Sequence, residues 1–66
     1  MKSNKLKAKI MEKGKNYDDC AKYIGVNPST FCQKVNLLRD FKLQEVNKLC
    51  DFLELNESEK IDIFLS

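Results

Sequence analysis

The sequence predicts an all-α fold: a compact bundle of about five short helices in a single domain spanning residues 1–66. Three observations point there. Apolar residues recur three and four positions apart, with none of the strict alternation of a half-buried strand. Gly14, Gly25 and Pro28, the chain's two glycines and one proline, all fall at the ends of these periodic segments. Asn16, Asn27 and Asn56 each stand just before a segment, where a side-chain oxygen can accept from an unsatisfied backbone N–H.

Helices are expected near 4–13, 17–24, 28–36, 43–53 and 57–65. The first is capped by Ser3 or Asn4, turns Leu6 and Ile10 inward with Met11 beside them, and stops at Gly14, since glycine takes the left-handed conformation a helix end needs. In the second, capped by Asn16 with Asp19 reaching back, Cys20, Ala21 and Ile24 form the inner face. Asn27 caps the third and Pro28 fills its first turn, where a missing N–H costs nothing. Phe31 and Val35 point inward there, leaving Ser29, Thr30, Cys32, Gln33, Lys34 and Asn36 for the outer surface. Leu37, Leu38 and Phe41 are apolar pegs in the following loop. The fourth helix carries the clearest period, Leu43, Val46, Leu49, Cys50 and Leu53. Asn56 and Glu59 make a capping box for the fifth, whose stripe Ile61, Phe64 and Leu65 is expected to face the core, with Ile63 left off it.

The net charge of +2 conceals two unlike halves. Residues 1–39 hold nine Lys/Arg against three Asp/Glu, and residues 40–66 hold three against seven. A basic half suits a polyanion. Three cysteines, an odd number with no CxxC, and no histidine argue against a zinc site and a disulfide framework. Reduced thiols and a cytoplasmic location are the expectation. No apolar run is long enough for a membrane span. Without histidine, a glycine-rich phosphate loop or a metal constellation, no catalysis, no cofactor and no small-molecule ligand are expected.

The stretch NYDDCAKYIGVNPSTFCQKVN, residues 16–36, holds two short amphipathic helices broken at Gly25-Val26-Asn27-Pro28. Ala21 allows close approach, Gly25 permits the turn, Val26 buries the elbow and Phe31 anchors the second helix. That is the pattern of a helix-turn-helix, two helices joined by a turn of three or four residues. Through Asn16, Ala21, Ile24-Gly25-Val26, Asn27, Ser29-Thr30-Phe31 and Asn36 the chain resembles the Cro and phage-repressor-like (XRE-type, lambda repressor-like) regulators. The five-helix outline, with RDFKLQEVNKLCDFLELNESE, extends the resemblance over about residues 4–65. Departures fall at Tyr17, at Lys34 (a position often apolar and packed inside), at Leu37 in place of a common glycine, and at Lys42 in place of a usual Ser or Thr cap.

The resemblance implies a small phage- or prophage-type regulator that binds operator-like double-stranded DNA, with the third helix in the major groove. It implies base contacts from Ser29, Thr30, Cys32 and Gln33. Gln33 is the foremost of these because its amide can bond adenine N6 and N7 together. Phosphate contacts are expected from Tyr17, Lys34, Asn36 and Arg39, with Lys5 and Lys22 as weaker candidates. A homodimer on half-sites about 34–36 Å apart would match a palindromic operator, and the last helix, with Ile63 left over, is the expected dimer surface. The competing reading is a protein-interaction module or antitoxin-like partner that retains the fold.

Overall fold

The computed structural model describes residues 1–65. Five α-helices follow one another: α1 Ser3–Glu12, α2 Tyr17–Ile24, α3 Pro28–Val35, α4 Leu43–Phe52 and α5 Glu57–Phe64. There is no strand among the described residues. α2 packs on α3 and α4, while α1 bridges α3 and α5.

Most helix starts are built as the caps predict. Asn16 Oδ1 accepts from the Asp19 N–H at 2.8 Å, and Asn27 Oδ1 accepts from the Thr30 N–H at 2.7 Å. Asn56 and Glu59 form the full reciprocal box. α1 departs from expectation. Its cap position is Lys2, and the Ser3 hydroxyl donates to the Val35 carbonyl at 2.6 Å, tying the start of α1 to the end of α3. At α4 the Glu45 carboxylate accepts from the Lys42 N–H at 2.9 Å; lysine has no acceptor to return the bond.

Four helices end on a residue in the left-handed region: Gly14 (φ 70°), Gly25 (φ 85°), Leu37 (φ 66°) and Glu54 (φ 55°). At Gly14, Leu37 and Glu54 the two bonds of a Schellman closure are present, as where Leu37 N–H meets the Lys34 carbonyl and Leu38 N–H meets that of Gln33. Gly25 turns the chain so that three residues, Gly25-Val26-Asn27, connect α2 to α3.

The core is Leu6, Ile10, Cys20, Ala21, Ile24, Phe31, Val35, Leu49, Leu53 and Ile63. Edge-on aromatic contacts run through it from Tyr17 to Phe31 (5.5 Å), Phe31 to Phe41 (5.9 Å) and Phe41 to Phe64 (5.9 Å), linking α2, α3, the α3–α4 connection and α5.

Two sets of side chains are placed differently from the sequence expectation. On α5, Ile63 is buried, whereas Ile61 is 50% and Leu65 71% exposed. The reason lies on α1. Lys5 holds Asp62 at 2.6 Å, Lys9 holds Glu59, and the Lys2 N–H donates to the Ile63 carbonyl at 2.7 Å. Those contacts turn the side of α5 that carries Ile63 toward α1. Around the α3–α4 connection, Leu37, Leu38 and Leu43 are exposed instead of packed. Met11, expected beside the inner face of α1, is exposed as well.

Candidate nucleic-acid interface

α3 is held by one face. Phe31 and Val35 are fully buried, and they fix which side chains point away from the bundle. Ser29 and Cys32 are exposed, Thr30 and Gln33 half-buried, and Asn36 exposed just past the helix. No carboxylate lies within α3 itself. Asp18 and Asp19 begin α2, and Asp40 follows in the connection to α4.

Lys34 is the correction to the predicted set. Its ammonium is 2.7 Å from Glu45 Oε1, donates to the Asp40 carbonyl at 3.1 Å, and lies 5.9 Å from the centre of the Phe41 ring. Both members of the pair are buried. Burial works against the Glu45 charge, but the Lys34 hydrogen bond, the Lys42 N–H and the two lysine charges outweigh it and hold the carboxyl below its ordinary range. This ammonium is engaged inside the fold and does not reach a phosphate. The helical period placed Lys34 outside; the family pattern, with an apolar residue often at this position, placed it inside.

Asn36 is half engaged. Its amide donates to the Cys32 carbonyl at 3.0 Å and touches Cys32 Sγ at 3.3 Å, closing the end of α3. Tyr17 packs its ring against Phe31, and its hydroxyl has no hydrogen-bond partner among the described residues. Burial, then the charges of Cys32 and Cys20, push the phenol up from its ordinary value, so it stays a protonated donor at neutral pH. Arg39 lines a groove with Phe41, Leu43 and Leu65, on the α4–α5 side of the connection.

Among the weaker candidates, Lys5 is committed to Asp62. Lys22, in the last turn of α2, is exposed and unpaired among the described residues. Lys7 was not singled out by the sequence. It follows Ser3 by one turn of α1, and Ser3 touches the end of α3, so the pair shares the flank nearer α3. The opposite flank, Lys2, Lys5 and Lys9, is neutralised by α5 and Glu12. Lys7 pairs with no carboxylate among the described residues. The i, i+4 spacing from Ser3 was the available signal, but it needed the Ser3–Val35 bond to give it direction.

Of the three free thiols, Cys20 and Cys50 are buried and Cys32 is exposed. Burial pushes the Cys20 thiol up to about 11, which makes it inert as a nucleophile. No cluster of potential metal ligands occurs among the described residues, and no helix is long and apolar enough to cross a membrane. No family model, curated protein or solved structure matches this chain.

Proposed function

We propose that the chain is a sequence-specific double-stranded DNA-binding protein of the transcriptional-regulator kind, with α2 and α3 acting as a helix-turn-helix and α3 entering the major groove. One observation carries the reading: α3 buries Phe31 and Val35 completely while Ser29, Cys32 and part of Gln33 stand outside, on a helix that holds no acidic residue. Ser29, Thr30, Cys32 and Gln33 then meet base edges, with Gln33 the main discriminator. The Tyr17 hydroxyl donates to a phosphate, joined by Lys7 and Lys22, while Asn36, whose amide N–H groups are turned to Cys32, serves to close the end of α3. Lys34 serves from within, fixing α3 against α4 through Glu45.

The test is selection of bound sequences from a random duplex pool, followed by titration of the selected duplex at several salt concentrations. Affinity is expected to fall with a log–log slope of about −0.9 per phosphate contacted. Gln33→Ala is expected to relax the preference at one base position by about 1–3 kcal/mol without loss of helicity. Binding that is absent, or the same at low and high salt, overturns the reading and leaves a protein partner as the function of the fold.

A further inference from the structure

A groove of about 580 Å³ runs between the α3–α4 connection, the start of α4 and the end of α5. Sites for small molecules have volumes of about 300–1,000 Å³. Leu37, Leu43 and Leu65 border the groove and are 60%, 73% and 71% exposed. Phe41, half-buried, and Val46, buried, continue the apolar surface inward. Three leucines gathered on one concavity mark a binding surface, whereas leucines scattered singly would need no explanation.

The charges along the groove select the occupant. The Lys34 ammonium is neutralised by Glu45. Arg39 and Lys60 also line the groove, and neither pairs with a carboxylate among the described residues. Lys60 donates to the neutral amide of Asn47, which engages one of its three N–H groups. Asp40 is the one carboxylate among the described residues that line the groove. Two cations against one carboxylate leave a single positive charge beside an apolar trough. A second copy of the chain would bring that same positive charge against itself. A dianion would carry one charge too many.

We propose that the groove binds a monoanionic carboxylate with one long hydrocarbon chain, free in solution. The hydrocarbon lies along Leu37, Leu43 and Leu65. The carboxylate is held by Arg39, whose guanidinium fork matches it with two parallel hydrogen bonds, and by Lys60. Arg39 thereby serves this groove and leaves the phosphate-binding set. Ser29, Thr30, Cys32 and Gln33 do not line the groove, so the inference stands apart from DNA binding and is tested without DNA.

The experiment titrates sodium dodecanoate, below its micelle concentration, into the isotopically labelled chain. Amide and methyl NMR shifts report the site, and circular dichroism reports helicity. Saturable binding of one dodecanoate per chain is expected, with Kd of about 10–100 μM and the largest shifts at Leu37, Leu43, Val46 and Leu65. Decanoate binds about tenfold more weakly, at about threefold per buried CH₂. Arg39→Ala weakens dodecanoate at least about tenfold and leaves the affinity for dodecanol unchanged. Leu43→Ser alters an exposed residue at the start of α4, so it keeps the helical spectrum and weakens both ligands about fivefold. No saturable binding up to about 1 mM, shifts centred on other residues, or loss of helicity on titration overturns the proposal. So does an unchanged dodecanoate affinity in Arg39→Ala, or dodecyltrimethylammonium binding as tightly as dodecanoate. Shifts of the same residues with protein concentration alone would assign the groove to a second copy and overturn it as well.

Discussion

α3 and α5 are each eight residues long, and each starts from an asparagine that caps it. They are docked by different forces. α3 gives three residues to the interior, Phe31, Lys34 and Val35, and its polar face is what remains. α5 gives one fully, Ile63, with Phe64 half-buried against Phe41, and is otherwise held by ion pairs to α1 and by Lys60 reaching Asn47 at 2.7 Å. Burial of large side chains is strong and insensitive to salt. Exposed ion pairs contribute little each and are screened. The orientation of α3 is consequently set by the core. The orientation of α5 is a choice between two apolar sides, made by lysines elsewhere in the chain.

The largest test of this contrast lies at the one charged contact of α3. A protein of this length has about 3–10 kcal/mol of stability. Lys34→Met leaves Glu45 buried without its ammonium and is expected to cost about 4 kcal/mol, close to complete unfolding, by urea titration. Lys34→Met/Glu45→Leu removes both charges and is expected to match or exceed the wild type. The pair also sets a pH dependence. The Glu45 carboxyl in the fold lies below its ordinary 4.5, so its contribution is complete above pH 4.5 and is lost as pH falls through the lower folded value. The acid limb of the stability curve should flatten in the double variant. If the single and double variants are equally unstable, α3 is not anchored through this pair.

How much of this was legible in the sequence follows the same division. Cys20, Ala21, Ile24, Phe31 and Val35 have one stripe per helix, with a cap at one end and Gly25 between, and each lies where its spacing puts it. Asn27 and Pro28 fix the start of α3 locally, so nothing distant was needed. Lys34 misled because the period marks polarity and not burial; its partner is eleven residues on, in α4. Ile61, Ile63, Phe64 and Leu65 cover most of the circumference of α5, so periodicity alone does not choose a side. A usable signal was present in Lys5 and Lys9 at i, i+4 opposite Glu59 and Asp62 at i, i+3, but reading it requires knowing that α1 and α5 are neighbours. Leu37 and Leu38 were assigned inward on hydrophobicity alone, without a period to support it, whereas Leu43 lies on the period of α4 but at its first residue, where it is exposed.

The choice of side on α5 is tested next. Ile63→Ala empties a fully packed position and is expected to cost about 3 kcal/mol, whereas Ile61→Ala, on the solvent side, is expected to stay within about 0.5 kcal/mol at concentrations where the chain is monomeric. Thermal unfolding of the two variants side by side gives the answer. Equal losses would mean that α5 presents both sides to the core in turn. Raising the salt concentration should weaken the Ile63→Ala variant further, since it depends more on the screened contacts to α1.

The smallest effect sharpens the comparison at the helix ends. α1 and α2 stop on Gly14 and Gly25, residues that enter the left-handed region freely, while α4 stops on Glu54 at φ 55°. A side chain in that conformation costs roughly 1–2 kcal/mol. Glu54 is exposed, and no hydrogen bond or ion pair of its side chain offsets the cost among the described residues. The backbone bonds that close α4, from Glu54 N–H to the Asp51 carbonyl and from Leu55 N–H to that of Cys50, are independent of the side chain. Glu54→Gly relieves the strain and gives back part of it to the greater freedom of the unfolded chain. The net gain is expected to be about 1 kcal/mol, seen as a rise in Tm of about 4–8 °C. Leu37 at φ 66° ends α3 in the same way, so Leu37→Gly is expected to raise Tm by a similar amount. A rise in Tm for both variants would show that neither side chain offsets the strain of its left-handed backbone, whereas a rise at Glu54 alone would mean that contacts of the Leu37 side chain compensate it.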